Sequence, residues 1–182
     1  MMKQKLTMLF GAILLTSILA FSFYGMGSSY ASGKSDHDEH RYTSVQQNPL
    51  YQEECGSCHM AYPAQLLPAG SWRKMMQGLD NHFGENAEVD AATSEAIEAY
   101  LVQTSKRGSY RKMLRNIGDR LPLRITELPY FRHEHDEIPS KLVKGNDKVS
   151  SFSQCNACHQ KAERGQFDED NVNIPGFGRW HD

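Results

Sequence analysis

Cys55-Gly-Ser-Cys58-His59 returns further along the chain as Cys155-Asn-Ala-Cys158-His159. Each stretch reads C-x-x-C-H, and the two together use all 4 cysteines of the 182-residue sequence. The spacing has a chemical reading, covalent haem attachment. Two thiols add to the two vinyl groups of one haem as thioethers. The histidine that follows at once swings its imidazole under the iron as proximal ligand. Other readings fit worse. Paired zinc knuckles want about 15–20 residues between the two C-x-x-C units, and Cys58 and Cys155 lie far outside that. A thioredoxin-like site wants one C-x-x-C beside a βαβ pattern, which this sequence lacks. Disulfides leave the histidine after each pair unexplained. The expectation is two covalent haem c groups and no zinc. Cys55, Cys58, Cys155 and Cys158 form the thioethers, and His59 and His159 are the proximal iron ligands.

The N-terminus agrees with such chemistry. Lys3 and Lys5 precede an apolar run from Leu6 to Tyr24, and small residues follow, with Ser29 and Ala31 before a cleavage position at Ser32. Residues 1–31 therefore read as a signal peptide. An uncleaved anchor is the alternative, since the run approaches the ~20 apolar residues of a membrane span. Either way the remainder lies outside the cytoplasm, in the periplasm or tethered to the outer face of the membrane. Removing residues 1–31 takes away two lysines and no acid, leaving 18 basic against 22 acidic side chains. A mildly acidic chain does not suit nucleic acid, whose phosphates need a basic surface. Residues 32–48 form a flexible, charged linker in which His37 and His40 are solvated.

Residues 49–108 are expected to form a first haem-binding domain and residues 109–182 a second. A short helix from Pro49 to Met60 carries the first motif, with Pro49 in its first turn. Ser71 is an N-cap candidate. Trp72, Met75, Met76, Leu79, His82 and Phe83 then recur at helical spacing, and Gly84 stops the helix. His82 lies on that apolar stripe, which makes it a distal-ligand candidate; Met75 or Met76 is the alternative. Asp90 caps a second helix to Thr104 with Ala92, Ala96, Ile97, Tyr100 and Leu101 inward. The stretch from Tyr110 to Leu128 holds Arg111, Lys112, Arg115, Arg120 and Arg124, some of them suited to haem propionates. Met113, Leu114 and Ile117 give it a short helical face. Pro129 to Ile138 is a further short helix on which Phe131, His135 and Ile138 share one face and His133 points elsewhere. Residues 141–153 are a polar loop, and the tail after Gly165 is irregular, with His181 near its end.

In combination these residues resemble the periplasmic dihaem cytochromes c of the DHC type, over roughly Glu53 to Pro175. The resemblance rests on Glu54 through His59, on Trp72, Leu79 and His82-Phe83-Gly84, and on Tyr100-Leu101. It continues through Arg124-Ile125-Thr126, Phe131 with His135, and Cys155 through His159 with Ile174-Pro175. It implies a mainly α fold, a small cytochrome c-like helical haem domain followed by a second, largely irregular haem-binding segment. It also implies a low-potential electron carrier with His82 and His135 as distal ligands. Sequence proximity pairs His59 with His82 and His159 with His135, and a crossed pairing stays open.

An iron held by two histidines offers no vacant position, so the expected function is one-electron transfer rather than catalysis. The expected partner is another haem protein or a membrane electron donor. Two alternatives remain at this stage: a dihaem enzyme with one open iron that reduces peroxide or a nitrogen oxide, and a haem subunit of a membrane respiratory complex.

Overall fold

The structure, a computed structural model, describes residues 48–107 and 112–180. The readings of the signal segment, of His37, His40, Arg111 and His181 lie outside these residues. Among the described residues no helix is long and apolar enough to cross a membrane.

Helix α1 runs Pro49–Cys55. Proline sits at its start, where a missing N–H costs nothing, and the Asn48 side chain accepts from the Tyr51 N–H at 3.0 Å. The helix is shorter than expected. It ends at Gly56, so Cys55 belongs to its last turn while Cys58 and His59 follow in turns. After a 3-10 turn at Ala64–Leu66, α2 runs Ala69–Met76. Here the expectation of one helix from Ser71 to Phe83 is corrected twice. Ser71 lies inside the helix and is buried rather than capping it, and Pro68 stands at the N-cap. At the other end Gln77 and Gly78 close the helix, and a separate 3-10 turn covers Leu79–Asn81. Gly78 explains the break, because glycine gains most by leaving a helix.

Helix α3 runs Ala91–Thr104. Asp90 caps it as expected, accepting from the N–H groups of Ala92 at 3.0 Å and Thr93 at 3.1 Å. Its buried face is narrower than expected: Ile97, Leu101 and Thr104 are inside, while Ala92 and Ala96 are exposed. Residues 113–116 form turns rather than a helix, although Ile117 is buried. A 3-10 turn at Ile125–Glu127 leads into α4, Pro129–Glu134. This helix ends before Ile138, with His135 already at its C-cap. A 3-10 turn at Ser140–Leu142 and a single turn of helix, α5, at Cys155–Cys158 follow. The tail is less irregular than expected. Strands β1 (Asn173–Ile174) and β2 (Gly178–Arg179) pair antiparallel, with Ile174 opposite Gly178.

The main core gathers Tyr51 of α1, Leu66, Leu67, Trp72 and Met76 near α2, Ile97 and Leu101 of α3, and Ile125, Leu128 and Phe131 around α4. It therefore draws apolar side chains from both sides of residue 108. The Trp72 indole N–H is satisfied inside it by the Ala64 carbonyl at 2.6 Å, as a buried donor requires. A smaller cluster of Leu142, Val172 and Ile174 lies beneath the hairpin, with Ile138, Cys158 and Trp180 against it.

Candidate haem sites

The first site forms where α1 ends and where the chain leaves the 3-10 turn at Leu79–Asn81. His59 Nδ1 donates to the Met60 carbonyl at 2.7 Å, since a carbonyl only accepts. That leaves Nε2 bare, the form in which imidazole binds metal. His82 reaches the same place by a route the sequence reading missed. It precedes a tight turn in which His82 and Glu85 bond each other's backbone at 2.7 and 3.3 Å. The two residues between them, Phe83 and Gly84, both have positive φ, at 58° and 107°, as in a type I′ turn. Gly84 thus serves a hairpin-like turn and not a helix terminus. The ring centroids of His59 and His82 stand 6.3 Å apart with planes 24° from parallel. Arg124, far along the chain, lays its guanidinium 3.9 Å over the Phe83 ring. Burial lowers the His82 pKa, with the charges of His59 and Arg124 adding to it, so this imidazole is neutral at pH 7.

The second site lies between α4, α5 and the tail. His135 stacks on Phe131 at 4.0 Å and its Nδ1 donates to the Phe131 carbonyl at 2.8 Å, again leaving Nε2 bare. Phe152 meets His135 edge to face at 5.7 Å, and Phe167 meets His159 at 5.5 Å. The ring centroids of His135 and His159 are 6.1 Å apart, with planes at 67°. A cavity of about 350 Å³ opens beside them, lined among others by Phe131, Phe152, Cys155, Cys158, Phe167 and Ile174. Burial, reinforced by His135, drives the His159 pKa down to about 4, and burial lowers that of His135 too. His159 Nδ1 is buried with no hydrogen-bond partner among the described residues.

The residues fit two haems. Imidazoles that ligate one iron from opposite sides have centroids about 6.3 Å apart, given metal–nitrogen bonds of about 2.0–2.1 Å and a ring radius of about 1.1 Å. Both observed separations match. None of the four cysteines is paired in a disulfide, which leaves each available for a thioether. Burial, with a smaller push from Glu54 on Cys55, raises Cys55 and Cys155 to about 11. Before attachment such thiols lack the lowered pKa of the activated thiolate in a dithiol oxidoreductase. The methionines offered as alternatives go elsewhere: Met76 is buried in the main core and Met75 packs against it. His133 is exposed, facing Asp136 at 4.0 Å. Of the basic residues considered, Arg120 is held locally by the carbonyls of Ile117 and Asn116 at 2.9 and 2.7 Å, and Lys112 lines the second cavity. Only Arg124 is placed by these contacts at the first site. Tyr62 and Phe152 were not singled out from the sequence, where nothing separates them from other aromatic residues.

A mainly helical chain with two C-x-x-C-H motifs, each motif histidine facing a second histidine ring about 6 Å away, defines a multihaem c-type protein. Comparison with known proteins agrees. The family of dihaem cytochromes c matches residues 51–167. A dihaem cytochrome c of Shewanella baltica OS155, solved by X-ray crystallography, is 52% identical, with a TM-score of 0.64 over 75% of this chain and 100% of that one. The dihaem cytochrome c of Rhodobacter sphaeroides is 46% identical, with a TM-score of 0.61 over 68% and 99%. A second structure from that organism, of purified DHC, gives 45% and 0.55 over the same shares. None of the curated proteins compared with the chain matches it. The chain belongs to the dihaem cytochrome c family. It accordingly carries two covalently bound c-type haems, and its role is that of a haem electron carrier.

Proposed function

We propose that the protein is an exported, low-potential one-electron carrier whose irons are each closed by two histidines, His59 with His82 and His159 with His135. The paired imidazole spacings of 6.3 and 6.1 Å carry this reading. Bound haem supplies the one-electron chemistry. The chain's own residues do the rest. Cys55, Cys58, Cys155 and Cys158 anchor the groups, and carbonyls of Met60 and Phe131 orient two of the imidazoles. Phe131, Phe152 and Phe167 exclude water from the second site. Two histidines at each iron would leave no open position for oxygen, nitrite or peroxide, so the chemistry the haems would supply is exchange of one electron. Two imidazoles favour ferric iron more than a His/Met pair does, which lowers the potential. Arg124 is assigned to a propionate of the first haem, because it stands beside Phe83 and His82.

The positive, apolar and small-residue order of residues 1–31 supports delivery to the periplasm. The partner is another haem protein or a membrane electron donor. It is met through a small, weak interface of the kind redox encounters use, and the acidic balance of the chain favours a basic docking patch.

The test is the absorption spectrum of the holoprotein, oxidised and reduced, followed by carbon monoxide on the reduced form. Low-spin signals at both sites and no response to carbon monoxide are expected. His82→Ala and His135→Ala are each expected to admit carbon monoxide at one haem. Binding by the unaltered protein at full occupancy of one haem would overturn the carrier reading in favour of an enzyme with an open iron.

A further inference from the structure

Phe83 is selected neither by its backbone nor by burial. It takes the first central position of the turn between His82 and Glu85, at φ 58°, where asparagine, aspartate or glycine is favoured and a bulky side chain is strained. The residue is also 45% exposed. Its ring is nevertheless held in one place. It meets the His82 imidazole edge to face at 4.8 Å, and the Arg124 guanidinium covers it at 3.9 Å. One aromatic contact thus separates solvent from the distal imidazole of the first site.

The surroundings are dominated by one sign of charge. Between Lys74 and Lys106 the chain has six acidic residues and no lysine or arginine. Three of them, Asp80, Glu85 and Glu88, flank Phe83 along the chain and are exposed. Arg124 is the cation brought to the ring from elsewhere, and Glu127 offsets it at 3.8 Å. At the first motif Cys58 is exposed, whereas Cys155 and Cys158 of the second are partly buried. The attachment point of the first haem is therefore the one at the surface. An apolar aromatic centre inside a polar, charged rim is the anatomy of a protein interface.

We propose that residues 80–88, with Phe83 at their centre, are the docking surface through which the first haem passes electrons to a basic redox protein, one that presents lysine or arginine side chains around its own exposed cofactor edge. The acidic rim draws and orients that partner, and Phe83 makes the apolar contact against His82. One electron leaves the ferrous iron of the first haem and reduces the oxidised cofactor of the partner. The iron becomes ferric, no covalent bond forms or breaks, and no proton moves. Attraction across such a rim raises the encounter rate and is screened by salt. A second copy of this chain fits worse, because a two-fold contact would set acidic rim against acidic rim. The inference rests on the electron-carrier reading above and gives it a surface and a partner charge.

The experiment mixes reduced holoprotein with oxidised mitochondrial cytochrome c, used as a lysine-rich acceptor, and reads the second-order rate against ionic strength by stopped flow. The unaltered chain is expected to react fastest at low salt and to slow as salt is added. Glu85→Gln with Glu88→Gln is expected to slow the low-salt reaction several-fold and to converge with the unaltered chain at high salt. Phe83→Leu is expected to slow the reaction at every ionic strength, with its low-spin spectrum unchanged. Glu137 and Glu169 are exposed and line the second cavity. Glu137→Gln with Glu169→Gln removes the same charge there and is expected to leave the rate nearly as it was. An equal or larger effect of that second pair, or a rate indifferent to both pairs, overturns the assignment. So does a dimer of the holoprotein that Phe83→Leu dissociates, which would make this face a contact between copies. If Phe83→Leu disturbs the low-spin spectrum, the two charge pairs alone decide. A carbon monoxide complex in the unaltered protein would sink the carrier reading instead, so the two failures are distinct.

Discussion

His59 and His82 have nearly parallel rings, 24° apart, whereas those of His135 and His159 are crossed at 67°. The difference comes from what grips each ring. Stacking on Phe131 and a bond to its carbonyl set His135, while Phe167 turns against His159 from the other side. Imidazole plane orientation decides how the d orbitals of a low-spin ferric iron split. The oxidised holoprotein is therefore expected to show two electron paramagnetic resonance signals, a rhombic one from the first haem and a strongly anisotropic one from the second. Two rhombic signals would mean that the His135–His159 geometry is wrong. This asymmetry was not legible in the sequence. His135 was, because an i, i+4 relation to Phe131 is local and holds even though α4 stops at Glu134.

At the scale of elements, the turn that presents His82 is the weakest support in the first site. Gly84 has φ of 107°, where an L side chain is strained even though there is open space for it. Gly84→Ala is expected to cost about 1–2 kcal/mol, as left-handed backbone does. It is expected to perturb only the first haem, seen as a lower melting temperature and a partial high-spin signal at that site. Helix α3 is better anchored. The Thr93 side chain and backbone N–H groups of Thr93 and Ala92 hold the exposed Asp90 carboxylate below its ordinary pKa of 3.8. A depressed carboxylate contributes stability in full above its unfolded pKa and loses it as pH falls through the folded one. Asp90→Asn keeps a good cap without the titration. The difference in melting temperature between the two chains is expected to be constant at neutral pH and to fade below about pH 4. A difference that persists unchanged in stronger acid would show that the charge is not what the cap uses. Asp90 could be read from the sequence because a cap and its N–H partners lie within three residues. The break at Gly78 could not, since the apolar stripe continues past it.

Over the whole molecule, the second site borders an open cavity of about 350 Å³, and at the first site His82 stands beside the exposed Phe83. The apolar cluster under the hairpin is small, formed by Leu142, Val172 and Ile174. Phe131, Phe152, Phe167 and Ile174 line the cavity of about 350 Å³ beside it, and a haem placed there would bury that apolar surface. The second haem is therefore expected to complete the small core of residues 138–180. Replacing Cys155 and Cys158 together by alanine, so that this haem is not attached, is expected to free those amides to hydrogen exchange while α1 to α3 stay protected. Equal protection throughout would show that the segment folds without its haem. The sequence by itself determined the cofactor, the two attachment motifs and the Asp90 cap. Each of these is fixed by chemistry between near neighbours in the chain. Only the tertiary structure decided which imidazoles face each other, that Arg124 lies over Phe83, and that Tyr62 reaches Ser153. Those contacts join residues far apart in sequence, and no local spacing encodes them. They exist because a shared core of α1, α2, α3 and α4 brings the segments together.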